Sequence, residues 1–95
     1  MKKVNTTHEI TVGQIVKSKA GRDKDRAFIV IGIVDEQYVL IADGDLRKID
    51  KAKKKKVKHL QKYNIISNEV KKRIENDEKI SNLFLRRELE KLGLS

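Results

Sequence analysis

The stretch GQIVKSKAGRDKDRAFIV, Gly13 to Val30, sets two apolar, strand-like runs on either side of a short charged loop. The first run, Ile10 to Lys17, carries apolar residues at Ile10, Val12, Ile15 and Val16. The second, Ala27 to Val34, is almost wholly apolar and rich in β-branched residues. Such a run suits a strand buried on both faces or curved tightly round a small core. Between the two, Ser18 to Arg26 contains Gly21, which is free to take a positive φ, and the cations Lys19, Arg22, Lys24 and Arg26. A charged loop on a tight apolar hairpin is where a small domain carries a binding site.

Working outward from this hairpin, Asp35-Glu36-Gln37 reads as a turn and Tyr38 to Ala42 as a third strand. Asp43-Gly44-Asp45 is a stronger turn, because the glycine tolerates a positive φ and the carboxylates can accept backbone hydrogen bonds. Leu46 to Ile49 fits a short fourth strand, and Val57-Lys58-His59-Leu60 fits either a fifth strand or one helical turn. Short strands with tight connections predict a small antiparallel barrel, whose closure would remove exposed edges. An open three-stranded meander is the alternative, and it would leave one face of Ala27 to Val34 in water.

Met1 to Glu9 is polar and aperiodic, the pattern of a flexible leader. Beyond Tyr63 the period becomes helical. Ser67 can cap a helix with Val70 and Ile74 on one face, and Asn76-Asp77 breaks it. A second helix starts near Ser81 or Asn82, sets Phe84, Leu85, Leu89 and Leu92 on one side, and ends at Gly93. The expected organisation is a leader over 1–9, a barrel over 10–62 and a helical tail over 63–95, mainly β with an α tail.

The 95 residues, 38% of them apolar, allow one small core built from Ile, Val and Leu, since the chain has two Phe, two Tyr and no Trp. Without cysteine there is neither a disulfide framework nor a thiolate metal site, which fits a reducing compartment. No apolar run approaches the roughly 18 residues of a membrane span, and a soluble cytoplasmic protein is expected.

The formal net charge of +9 is concentrated. Arg47 to Lys62 holds nine basic residues against the single acid Asp50, so the rest of the chain is close to neutral. A concentrated patch produces a directional field that polyanions can find, whereas the plainer reading of a lysine run is a solvated segment. Catalysis has little support: His8 and His59 have no acid or nucleophile at an informative spacing, and the Asp43–Asp45 pair lacks the other ligands of a calcium loop. No cofactor or metal is expected. Polyanion binding is better supported. If about five cations neutralise phosphates, log K falls with log salt at a slope of roughly −3.5 to −4.5. The scarcity of aromatics favours folded RNA over an extended single strand.

Gly13 to Leu60 resembles the KOW domain, and most closely that of the archaeal and eukaryotic large-subunit ribosomal protein fourteen. The similarity lies in Gly13-Gln14-Ile15-Val16, the Ala20-Gly21-Arg22 loop, Ile29-Val30, the segment Asp35 to Ile41, the basic run, and Lys58-His59-Leu60. The chain also looks like the short KOW-domain RNA-binding proteins of bacteria. The resemblance implies an SH3-like barrel that binds RNA, chiefly ribosomal RNA, with the loop glycine at Gly21 and the basic residue after it at Arg22. Many members of that family have a second glycine where this chain has Asp25, and a proline where it has Ala52.

The expected function is therefore non-enzymatic docking on structured RNA, with the ribosome or ribosomal RNA as partner. The expected contacts are Lys19, Gly21, Arg22, Lys24 and Arg26 from the loop, and Arg47, Lys48, Lys51, Lys53, Lys54, Lys55, Lys56, Lys58 and His59 from the second cluster. The alternative is a protein-interaction adaptor of transcription or translation that uses the barrel or the apolar stripe of its helical tail.

Overall fold

The structure, a computed structural model, describes residues 2–94. Six strands, β1 (Lys2–Lys3), β2 (Gln14–Ser18), β3 (Ala27–Ile33), β4 (Tyr38–Ala42), β5 (Lys53–Lys56) and β6 (Leu60–Ile66), form one antiparallel sheet in the order β1-β6-β2-β3-β4-β5. Two helices follow, α1 (Asn68–Glu75) and α2 (Asn82–Lys91). The mainly β architecture with a helical tail is the expected one.

The register shifts between Gln14 and Val16 where β2 meets β6, and between Val30 and Gly32 where β3 meets β4. Such irregularities bend a strand, and they let the sheet curl into a small barrel. Its interior is filled by Val4, Ile10, Val16, Phe28, Val30, Val39, Ile41, Val57 and Leu60. Closure is incomplete: β1 and β5 remain edges, because they do not pair with each other. The four-lysine β5 blunts one of those edges by charge.

The outer face of the sheet builds a second core. Ile15, Ile29 and Ala42 point away from the barrel interior and pack against Val70 of α1 and Leu85 and Leu89 of α2. Strand β3 is therefore buried on both faces, which is why Ala27 to Ile33 reads as an unbroken apolar run rather than an alternating one. Both helices begin at the expected caps: the Ser67 hydroxyl accepts from the Val70 amide at 3.3 Å and the Ser81 hydroxyl from the Phe84 amide at 3.1 Å. On α2, Leu85 and Leu89 are fully buried, while Leu92 is exposed and Phe84 is half-buried beneath the Arg73 guanidinium, 4.2 Å from its ring. The stripe that would have favoured a protein adaptor is spent largely on the chain's own sheet.

Three expectations are corrected. The leader is part of the fold: Lys2 and Lys3 pair with Lys62 and Gln61 of β6, Val4 is completely buried, and a 3-10 turn spans Thr7–Glu9. A single valine that plugs the barrel leaves no periodic trace in a polar segment. Met1 and Ser95, the outermost residues of the expected leader and tail, lie outside the described residues. Leu46 to Ile49 is not a strand. Asp43 folds this segment into a turn by accepting the Asp45 and Arg47 amides at 2.9 and 2.8 Å, leaving Leu46 exposed, and Ile49–Lys51 forms a 3-10 turn. The fourth strand of the barrel is instead the lysine run itself. Val57–His59 resolves as a 3-10 turn that leads into β6, and that strand continues to Ile66, past the expected barrel boundary.

Candidate nucleic-acid interface

The loop 18–26 is held by its own backbone before any ligand is considered. Ser18 and Arg26 close it, with the Ser18 amide donating to the Arg26 carbonyl at 3.0 Å and the Asp25 amide to the Ser18 carbonyl at 2.7 Å. Gly21 takes φ +78° and Asp25 φ +69°. Asp25 thus holds a left-handed conformation with a side chain in place, at a cost of about 1 kcal/mol. Lys19 lies 3.7 Å from the Asp25 carboxylate, an exposed and weak pair.

Three contacts then join this loop to the second basic segment. The Lys19 amide donates to the His59 carbonyl at 2.8 Å. The Lys55 ammonium, although drawn from the lysine run, turns inward and donates to the Ala20 carbonyl at 2.9 Å. Its residue is only 9% exposed, and a side chain on Gly21 would stand 3.5 Å from that ammonium. Arg47 grips Asp23 with two hydrogen bonds, from Nε at 3.1 Å and Nη2 at 3.2 Å. Asp23 is 1% exposed, so the pair is a brace between the two segments rather than a surface ornament. Arg26 makes a similar bond to the buried Asp43 at 3.1 Å.

The expected contact residues therefore divide. Arg26, Arg47 and Lys55 are engaged within the protein. Arg22 and Lys24 on the loop, Lys48 and Lys51 around the 3-10 turn, Lys53 at the start of β5, and Lys58 after it are exposed, and none makes an ion pair among the described residues. His59 is exposed on the same turn as Lys58. Uncompensated cations concentrated on neighbouring loops and an edge strand generate the kind of potential that attracts phosphate backbones. His8, also exposed, approaches Glu36 at 4.0 Å on the turn between β3 and β4. A cleft of about 420 Å³ near the C-terminal end of α2 mixes Asp25, Asp43, Asp45 and Glu90 with Arg26 and Arg86, a lining unsuited to a polyanion.

Alternation along β5 separates the lysines further. Lys54 and Lys56 face outward, where their ammonium groups lie 4.8 and 6.0 Å from the centre of the Tyr38 ring. Tyr38 was not among the expected contacts. The signal was present in the alternation of Tyr38-Val39-Leu40-Ile41, which puts the tyrosine on the face opposite the buried Val39 and Ile41.

No family model matches the chain. A protein of Bacillus subtilis (strain 168), named Putative ribosome-binding protein YbzG, is 33% identical over 73 residues, covering 77% of this chain and 99% of that protein.

Proposed function

Since the chain belongs to the family of the Bacillus subtilis protein named Putative ribosome-binding protein YbzG, we propose that it binds the ribosome without enzymatic activity, docking on structured ribosomal RNA in the bacterial cytoplasm. The barrel serves as a KOW-type module in this reading. The observation that carries it is the bracing of loop 18–26 against the lysine-rich segment by Lys55, Arg47 and Lys19, which sets two groups of unpaired cations side by side. Rigid placement matters, because phosphate contacts on a folded RNA read shape, and shape is read only by charges whose spacing is fixed.

In this reading Arg22, Lys24, Lys48, Lys51, Lys53 and Lys58 contact phosphates, while Arg26, Arg47 and Lys55 hold the frame. Co-sedimentation of the protein with ribosomes across a salt series tests it. Replacing Arg22, Lys24 and Lys53 together by alanine is expected to weaken binding at low salt and to flatten the slope of log K against log salt by roughly 2 to 3. An unchanged affinity and slope would rule out docking through this face.

A further inference from the structure

The outer surface of β4 and β5 holds an aromatic ring with two cations over it. The register sets Lys56 opposite Tyr38 and Lys54 opposite Leu40, so all four side chains share one face. Across the sheet Gly32 lies opposite Leu40, whose Cδ1 would stand 3.3 Å from a Cβ there, so the leucine covers the glycine. Neither Tyr38 nor Leu40 belongs to the cluster that α1 and α2 cover. The two ammonium groups make no ion pair among the described residues, so the ring stands in a small field of uncompensated positive charge.

We propose that Tyr38, Lys54 and Lys56 form a stacking site for one unpaired base of the bound RNA. The ring receives the base as the Lys54 ammonium, 4.8 Å from the ring centre, swings off it, and the two lysines receive the phosphates on either side. A nucleotide presents a π face and an anionic backbone within one unit, and this site presents a π face and flanking cations at matching scale. An acidic peptide would satisfy the lysines but leave the ring without a counterpart. The inference rests on the docking reading above and sharpens it, because it places a single-stranded element of the RNA, a loop or bulge, at the outer face of β4–β5.

The test compares the full chain with its Tyr38→Leu and Tyr38→Phe variants, using a single-stranded oligouridylate and a fully paired RNA duplex as probes. Tyr38→Leu is expected to lower affinity for the oligouridylate about tenfold while leaving duplex binding unchanged, and Tyr38→Phe to retain both. The chain has no Trp and two Tyr, so a Tyr63→Phe variant reports Tyr38 alone by its emission. Stacking should quench that emission as oligouridylate is added, whether or not the leucine variant folds. Equal effects of Tyr38→Leu on the two RNAs, or an unquenched emission at saturating oligouridylate, would overturn the stacking site while leaving docking intact. If the unaltered chain binds neither RNA, the docking reading fails first and this one with it.

Discussion

Two arginines in this protein look alike in sequence and do different work. Arg47 is bonded twice to Asp23, a carboxylate almost wholly removed from water, whereas Arg22 is exposed and makes no ion pair among the described residues. Removing Arg47 strands a buried charge, and the loss is tempered because the arginine itself is partly solvated. Arg47→Ala is expected to cost roughly 2 to 4 kcal/mol of stability, and Arg22→Ala less than about 0.5 kcal/mol, as chemical denaturation would measure. On ribosome binding the ranking should invert for correctly folded protein, with Arg22→Ala lowering affinity directly. Charge counting in the sequence cannot separate these roles. Asp23 and Asp43 look like ordinary loop acids until the fold buries them against Arg47 and Arg26. Lys55 is the sharper case, since nothing in a run of four lysines marks the one that turns inward.

At the scale of elements, apolar strands and capped helices were legible and charged strands were not. The apolar runs that became β3 and β4, and the caps Ser67 and Ser81, could be read because hydrophobic period and capping chemistry are local. Strand β5 has no apolar alternation, and it exists because β4 offers a partner and an edge position tolerates charge. The junction between α1 and α2 was equally invisible, because it joins side chains far apart in the chain. The Ser67 hydroxyl donates to Glu88 Oε1 at 2.7 Å, and Lys91 donates to Oε2 at 2.9 Å. Burial pushes the Glu88 carboxyl up, but the bonds from Lys91 and Ser67 and the positive charges of Lys91 and Arg73 together hold it below its ordinary 4.5. A carboxylate depressed in the folded state stabilises fully above its unfolded value and loses that contribution as pH falls through the lower, folded one. The difference in melting temperature between the protein and its Glu88→Gln variant should accordingly be widest above pH 4.5 and shrink below it.

For the whole molecule, the decisive fact is that the helices are not an appendage. In sequence, charge and period both change near residue 62. Yet β6 runs through it, and α1 and α2 cover the outside of β2, β3 and β4. Burying Val70, Leu85 and Leu89 contributes roughly 1.5 to 3 kcal/mol each, against a total of about 5 to 15 kcal/mol for a domain of this kind. A chain ending at Ile66 would expose Ile15, Ile29 and Ala42 and lose much of that margin. It is expected to populate aggregated or unfolded states at room temperature, measurable as loss of the monomer peak in size-exclusion chromatography. Gly44 ties the same layers together at one point: a Cβ there would collide with the Asn82 carbonyl at the start of α2, and Asn82 in turn accepts the Ile49 amide at 2.9 Å.

The lysine strand has one further consequence, which concerns what this protein avoids. As the last strand of an open sheet, β5 offers unpaired backbone groups to any chain that approaches in extended form, including another copy of itself. A second copy laying its own β5 alongside would bring the ammonium groups of Lys53, Lys54 and Lys56 against their counterparts, with repulsion in every register. The charge that would draw a polyanion to this segment thereby turns away its own kind and keeps its sheets from growing into one another.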